Sequence, residues 1–423
     1  MERRAFVKSG ALALVTMGLS PSFLRRTAFG MELVNAPKGK VLICLFQRGA
    51  ADALNVVVPH GERAYYAMRP SIAIPQPTRG IGGNGAIDLD GFFGLHPSLA
   101  PFKPLYDRGL LAPVHAVGSP STTRSHFDAQ DYMETGTPDV KGTTDGWLNR
   151  YLAVKGTCDE CKLAKDAHAN PFRAVSLTPQ TPRILEGPQQ TVAMDSLDAF
   201  TVRATGSSAE RLEALYRTGS ADLVHGTGAE MFDAVKMLRS ANPQKYGPEN
   251  GADYPRSQFG QRLLSIAQLI KANVGLEIAF ADIGGWDTHV NQGGATGQLA
   301  ARLDDFSKSI SALVTDLGDR MGDVVILTMS EFGRMAKENG NRGTDHGHAG
   351  ALFVIGGNVK GGKVYGKWPG LEQEQLYEGR DLALTTDFRA VFAEVASDHL
   401  GASKIGTIFP GFTAERKTFL GIV

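Results

Sequence analysis

The sequence predicts an α/β protein with a mostly parallel central sheet and helices on both faces. Short, continuous apolar runs alternate along the chain with longer stretches whose apolar residues recur at helical spacing. Continuous apolar runs are typical of strands buried on both faces. Polar clusters with carboxylates and histidines stand next to several of these runs. Strands that alternate with helices form an open sheet with helices packed on each face.

Five apolar runs are the predicted strands. The first begins at Lys40 and ends at Leu45, in KVLICLF. The other four are GLLAPVHAVG (109–118), the apolar part of VGLEIAFADI (274–283), DVVILTM (323–329) and ALFVIGG (351–357).

Helical spacing predicts amphipathic helices within YPRSQFGQRLLSIAQLIKAN (254–273) and QLAARLDDFSKSISALVTDLGD (298–319). A capped helix is predicted in TTDFRAVFAEVASDHLG (385–401), and SPSTTRSHFDAQDYMETG (119–136) reads as a loop that opens into a helix. Residues 140–205 are irregular and polar, which predicts a cap or an insertion. The domain proper is predicted to span 31–423.

The first thirty residues form a separate segment. Arg3 and Arg4 are followed by Phe6, Lys8 and a short apolar run, which resembles a twin-arginine (Tat) export signal. The run is too short to span a membrane, so no transmembrane domain is predicted beyond the signal. The segment is compatible both with cleavage before Met31 and with retention as a membrane anchor. The alternative interpretation is a basic disordered tail without a role in export. The resemblance implies the Tat translocase as a partner during export and a periplasmic location.

Composition excludes some classes of function. Lys plus Arg and Asp plus Glu number 44 each, so no overall charge favours nucleic acid or an anionic membrane. Cys44 lies in a predicted strand, and Cys158 with Cys161 reads as a local disulfide. The glycine-rich loop TRGIGGNGAIDLDG neither follows a strand nor opens a helix, so it is not a dinucleotide-binding fingerprint.

Chemically active residues recur where the predicted strands meet loops. Carboxyl ends of parallel strands share one edge of a sheet, where ligands bind. Carboxylates mixed with imidazoles are ligands for zinc, manganese or iron, whereas calcium favours oxygen alone. The residues are Asp52 after the first strand, Ser125 and His126 after the second, Asp287 and His289 after the third, Glu331 after the fourth, and Asp345, His346 and His348 before the fifth.

Each residue also has a structural interpretation. Asp52 is the kind of residue that braces a turn. Ser125 is equally suited to cap a helix. Glu331 has Arg48 and Arg334 as candidates for an ion pair, and His289 alone would be a hydrogen-bonded loop residue. Only the combination favours a metal site.

Six ordered motifs resemble a large bacterial family of Tat-exported proteins, the domain-of-unknown-function 1501 family. The resemblance covers nearly the whole chain and places it with the alkaline-phosphatase-like hydrolases, which include phosphatases, phosphodiesterases and sulfatases. It implies an alkaline-phosphatase-like core with one or two divalent metals, zinc or manganese, at the strand ends. The motifs are LFQRGAADALN, RSHFDAQDYMETG, GGWDTHVNQ, SEFGR, GTDHGHAG and GGKVYGKWPGL.

The resemblance implies a metal-ligand set but departs from the superfamily pattern in one place. Phe332 stands where a ligand histidine is expected, which removes one ligand unless His346 or His348 supplies it. The spacing between Asp287 and His289 is also shorter than usual. The implied ligands are Asp52, Asp287, His289, Glu331, His346 and His348, with Asp345 orienting a neighbouring histidine.

The resemblance also implies a nucleophile and groups that hold the substrate. Ser125 is the first choice for the nucleophile, with Thr122 and Thr123 behind it. A formylglycine sulfatase motif is missing, because CLFQR has Phe46 in place of proline. The implied substrate-binding residues are Arg48, Arg124, His126 and Arg334.

These patterns predict an exported metal-dependent hydrolase that acts on a small-molecule phosphate or sulfate ester. The alternative is a non-catalytic descendant of the fold that retains a metal and serves as an exported binding or assembly protein. Phe332 and the compressed spacing after Asp287 favour that alternative. A redox enzyme is not favoured, since the sequence lacks the cysteines and phosphate loop that its cofactors need.

Overall fold

The computed structural model of the 423-residue chain describes residues 39–78, 83–155, 170–197, 232 and 234–423. The predicted export signal at 1–30 and the pair Cys158 and Cys161 lie outside these ranges.

Eleven strands form two sheets in the described part of the chain. The central sheet has eight strands in the order β11-β5-β10-β9-β1-β8-β6-β7, and a small sheet has the order β2-β4-β3. The strands are β1 Val41–Gln47, β2 Val57–Val58, β3 Ile87–Asp88, β4 Gly94–Leu95, β5 Leu111–Gly118, β6 Ala174–Ser176, β7 Val192–Ala193, β8 Ile278–Ile283, β9 Val324–Met329, β10 Gly350–Gly356 and β11 Thr386–Asp387.

The prediction of an α/β fold with a mostly parallel sheet is confirmed. β1 is parallel to β8 and β9, β8 to β6, β6 to β7, and β5 to β11. Only β10 is antiparallel to its neighbours β5 and β9 in this sheet. The start of β10 therefore lies at the edge where the other strands end. The loop between β9 and β10 therefore lies at the same edge as the loops that follow β1, β5 and β8.

Nine α-helices are bounded in the described residues. They are α1 Ala53–Val56, α2 Arg63–Met68, α3 Lys103–Asp107, α4 His126–Thr135, α5 Trp147–Lys155, α6 Gln258–Lys271, α7 Gln298–Leu317, α8 Phe388–Glu394 and α9 Ile405–Ile408. The stretch 234–241 is also helical. A π-helical turn, Val395–His399, continues α8.

The two faces of the sheet carry separate apolar cores. Side chains of a strand alternate between faces, so Ile43 and Leu45 of β1 pack with α6 and α7, whereas Cys44 and Phe46 pack with α5 and α8. Both faces of β1 are apolar for this reason, and all seven of its residues are buried.

The described part of 140–205, the segment predicted as a cap or an insertion, contributes to the central sheet. Within 140–205, α5 covers one face of the sheet, and β6 and β7 extend its edge beside β8. β6 is only three residues long, Ala174–Ser176, too short to be distinguished from a loop by its sequence pattern. Partner strands far along the chain give it its conformation.

No helix in the described ranges is long and apolar enough to cross a membrane.

Two buried histidines make the stability of the fold depend on pH. His115 of β5 donates to the carbonyl of Val57, and His96 makes a hydrogen bond to the carbonyl of Gly294. Burial lowers the pKa of each ring to about 4. Between about pH 6.5 and this value the unfolded chain binds protons that the native protein does not. The free energy of unfolding therefore falls as the pH drops through this window.

We expect each histidine to account for a loss of about 2 kcal/mol between about pH 7 and pH 5. Urea unfolding of the wild type and of His115→Gln at both pH values measures this, because glutamine keeps a donor but does not titrate. The variant should show the smaller pH dependence. An identical pH dependence in both proteins would contradict the assignment.

Candidate metal centre

Arg334 joins the loops at the carboxyl edge of the sheet. Its side chain is buried, with 1% of the residue exposed. Its guanidinium donates to Asp287 and to the carbonyls of Gly49, Ala50, Trp286 and Thr344. These partners belong to the loops after β1 and β8 and to the β9–β10 loop, which also carries Arg334 itself. One side chain thus joins three loops.

Two glycines permit this close approach. Gly49 has a φ of +120°, and a Cβ there would lie 2.7 Å from the backbone nitrogen of Asp287. A Cβ at Gly347 would lie 2.3 Å from the carbonyl carbon of Arg334. Both distances are shorter than nonbonded atoms tolerate, so larger residues would push the loops apart.

Three histidines and one carboxylate converge between these loops. The Nε2 atom of His346 lies 3.0 Å from Nε2 of His126 and 3.0 Å from Nε2 of His289. One oxygen of Asp287 is 3.0 Å from His289 Nε2 and 3.3 Å from His346 Nε2, and the other is 3.5 Å from His126 Nε2. The candidate ligand atoms of His126, Asp287 and His346 all lie within 4.8 Å of one another.

The second ring nitrogen of each histidine is held by an oxygen. His126 Nδ1 lies 2.8 Å from Glu331, His289 Nδ1 lies 2.7 Å from Asp345, and His346 Nδ1 lies 2.9 Å from the carbonyl of Arg124. An acceptor at Nδ1 makes that nitrogen the N–H donor and leaves a lone pair on Nε2. Facing lone pairs repel unless a cation or a proton lies between them. These residues could therefore hold a metal ion.

The carboxylates around the histidines are ionised at neutral pH. Burial raises the pKa of Asp287, but the Arg334 guanidinium beside it outweighs burial and leaves the pKa below its usual value. Burial likewise opposes ionisation of Glu331, yet hydrogen bonds from His126 and Gln130 keep its pKa low. The hydrogen bond to Glu331 in turn raises the pKa of His126. This field favours positive charge at the centre.

Two arginines clamp His346 through a shared carboxylate. Arg124 supplies the carbonyl that accepts from the His346 ring, and Arg380 donates to the backbone carbonyl of His346. Both guanidinium groups also bind Asp381, which is fully buried. The ring and the backbone of His346 are therefore each held by a hydrogen bond, and together these bonds fix the orientation of the ring.

Phe332 forms the floor of the centre. Its ring centroid lies 4.9 Å from that of His126 and 5.0 Å from that of His346. In the superfamily pattern a ligand histidine is expected at this position, where this chain has phenylalanine. The structure places His126, predicted to bind substrate, among the candidate ligands instead. Its position after β5, at the edge of the sheet that also carries Asp287 and His346, was the available signal.

Three of the predicted ligands lie elsewhere. Both oxygens of Asp52 pair with Arg69, at 2.5 and 2.9 Å, and one also accepts from Gln292, so this buried carboxylate has no free side. Glu331 contacts the ring of His126 from behind. The ring of His348 stacks on Tyr377 with centroids 4.3 Å apart. Adjacent loop residues project in different directions, which separates His348 from His346.

Ser125 occupies the position before the first residue of α4. Its backbone is extended, and its side chain makes no capping hydrogen bond. The residue is exposed, as is Thr122. The Thr123 hydroxyl accepts from the backbone N–H of Ser125. Ser125 thus has the backbone of a cap and a hydroxyl that the helix does not use.

The arginines predicted to bind substrate are engaged within the chain. Arg48 pairs with Glu134 and Asp282, and Arg124 pairs with Glu378 and Asp381. Arg334 is the buried centre of the loop network described above. Each guanidinium already has a carboxylate partner.

The chain belongs to the family described as "Protein of unknown function (DUF1501)". The family profile matches residues 112–406, more than half of the 423 residues. No curated protein matches the sequence. Among solved structures, a 2-O GAG sulfatase is similar at 11% identity with a TM-score of 0.25, over 78% of this chain and 66% of that chain. The match thus spans slightly less than two-thirds of that sulfatase, and likeness at this level says nothing about activity.

Replacing a histidine of the centre should remove bound metal. We expect His346→Ala and His289→Ala to lower metal affinity roughly ten-fold or more. Thermal stability should fall with it wherever metal stabilises the fold. The measurement is elemental analysis of protein purified without a histidine tag, together with the melting temperature.

His348→Ala is the matched control, because this histidine lies in the same loop but stacks on Tyr377. It should keep its metal even where its stability drops. Full metal content in both His346→Ala and His289→Ala would remove these residues from the ligand set.

Proposed function

We propose that the chain is an exported, metal-dependent hydrolase of phosphate or sulfate esters. One observation carries the proposal: three Nε2 atoms and the Asp287 carboxylate converge while every Nδ1 atom is held by an acceptor. Histidines with a second oxygen contact of this kind are typical of metal ligands in proteins. The side chain of Asp287 is 45% exposed, so a substrate has access to the centre.

Imidazoles combined with a carboxylate suit zinc or manganese. The ligand atoms of His126, Asp287 and His346 lie close enough together for one ion, with His289 Nε2 beside them as a further candidate ligand. A second ion rests on the superfamily resemblance alone. A bound ion supplies Lewis-acid polarisation of the ester oxygens. Glu331, by holding Nδ1 of His126, keeps the ligand lone pair directed at the ion.

Ser125 is the proposed nucleophile. Its hydroxyl is exposed, is not used for capping, and belongs to the residue next to His126. The first backbone N–H groups of α4 favour an anion at this end of the helix. Ser125 Oγ attacks phosphorus or sulfur, and the ester oxygen leaves with a proton as the alcohol. Water then releases phosphate or sulfate and restores the serine.

The proposal includes export by the Tat pathway. Residues 1–30 serve as the signal, 31–423 as the mature domain, and the periplasm as its location. Arg3 and Arg4, followed by Phe6 and Lys8, support this assignment. The Tat translocase is the partner that it requires.

A binding or assembly protein is the second candidate function. It is favoured by the pairing of Arg48, Arg124 and Arg334 with carboxylates of the chain, since phosphoryl and sulfuryl hydrolases commonly place free cations on the transferred group. Such a protein would bind metal at the same centre and hydrolyse no ester.

Ser125→Ala separates the two candidates. For a hydrolase we expect turnover of phosphate or sulfate esters to fall roughly a thousand-fold or more while metal stays bound. Thr122→Ala and Thr123→Ala serve as controls and should retain turnover. Full activity of Ser125→Ala would transfer the nucleophile role to one of the threonines. Metal without any ester hydrolysis in the wild type would favour the binding protein.

The export proposal has its own test. The double variant Arg3→Lys, Arg4→Lys should accumulate as precursor in the cytoplasm, because the paired arginines are the recognised feature of the signal. Fractionation followed by immunoblotting measures the distribution. Unchanged periplasmic protein would argue against the Tat route.

A further inference from the structure

Two side-chain amides bind the carboxylates that hold histidines of the candidate centre. Gln130 donates to Glu331 over 2.9 Å. Asn339 donates to Asp345 over 3.0 Å. The amides belong to different elements, because Gln130 lies in α4 and Asn339 lies in the loop between β9 and β10. Each carboxylate that contacts a histidine Nδ1 atom is thus itself bound by an amide N–H group.

The Gln130 side chain is fixed between Glu331 and an arginine. Glu331 is fully buried, and one of its oxygens accepts from His126, from Gln130 and from the backbone N–H of Gly49. Gln130 stands four residues after His126, so α4 carries both side chains on the same face. The amide oxygen of Gln130 accepts from Arg48. A flipped amide would turn its oxygen toward the carboxylate and its N–H group toward the guanidinium, so only one orientation fits.

Asn339 uses every hydrogen-bonding position of its side chain. Its amide nitrogen donates to Asp345 and to the backbone carbonyl of His289. Its oxygen accepts from the backbone N–H groups of Asn341 and Gly343. An asparagine side chain offers two donors and two acceptor positions, and all of them are occupied. The amide therefore fixes His289, and the carboxylate behind its ring, to one turn of the neighbouring loop.

A neutral amide suits this place because it leaves the charge on the carboxylate. That charge strengthens the hydrogen bond from the imidazole N–H and keeps the Nε2 lone pair directed at the centre. A cation in the same place would form its own ion pair with the carboxylate and oppose a metal ion nearby. An apolar side chain would remove one donor from the buried charge of Glu331, which is costly.

We propose that Gln130 and Asn339 are positioning residues of the metal centre. Neither is a candidate ligand. Each acts through the carboxylate that it binds, and that carboxylate orients the histidine. This inference rests on the metal centre of the proposed function, and it concerns how the ligands are held rather than which ester is hydrolysed.

The test measures metal binding in Gln130→Met and Asn339→Ala. Methionine is close to glutamine in length and favours a helix, but it donates no hydrogen bond. The affinity for Zn²⁺ should fall about ten-fold in each variant. The visible absorption of bound Co²⁺ depends on the coordination geometry, so its spectrum should change as well, because the histidine is no longer held in its direction.

Asn341→Ala is the matched control for Asn339→Ala. Asn341 is exposed in the same loop, and its backbone, not its side chain, makes the bonds of this network. The control should bind Zn²⁺ and Co²⁺ as the wild type does. Wild-type affinity in both test variants would overturn the inference and leave the proposed function intact. Weaker binding with the wild-type Co²⁺ spectrum would also overturn it, because that result indicates a loss of stability alone. A wild type that binds neither ion overturns the metal centre and the inference together.

Discussion

The buried guanidinium of Arg334 is the interaction on which the candidate centre depends. It satisfies the carbonyls of Gly49, Ala50, Trp286 and Thr344 and also binds Asp287. A buried arginine without these partners would be strongly destabilising, so the loops and the side chain stabilise one another. The ion pair between Arg334 and Asp287 also keeps this carboxylate ionised, so Asp287 contributes a negative charge to the site.

The direction of β10 is the second constraint. Its antiparallel pairing with β5 and β9 places the residues before Gly350 beside residues that follow the other strands. His346 can thus meet His126 and His289, although it precedes its strand. A parallel β10 would leave that loop at the opposite edge of the sheet. The site therefore follows from sheet topology as much as from residue type.

The two nitrogens of each imidazole ring have different roles: Nε2 faces the centre, and Nδ1 is held by a hydrogen bond. His126, His289 and His346 direct Nε2 inward, while Glu331, Asp345 and the Arg124 carbonyl hold the rings from outside. Asp52, which the superfamily pattern made a ligand, is instead occupied by Arg69. This chain combines imidazoles from three loops with one carboxylate. Phe332, which stands where the superfamily pattern has a ligand histidine, packs against the rings of His126 and His346 as an apolar floor.

The sequence alone determined the α/β class, the principal strands and helices, and membership of the family, because continuous apolar runs, helical spacing and ordered motifs are local signals. It also brought Asp287, His289 and His346 to one predicted edge. Only the tertiary structure decided the direction of β10, the strands within 140–205, and which side chains face one another. His346 and His348 are two residues apart, yet one joins the centre and the other stacks on Tyr377. Side-chain direction in a loop depends on contacts distant in sequence, and no local pattern encodes them.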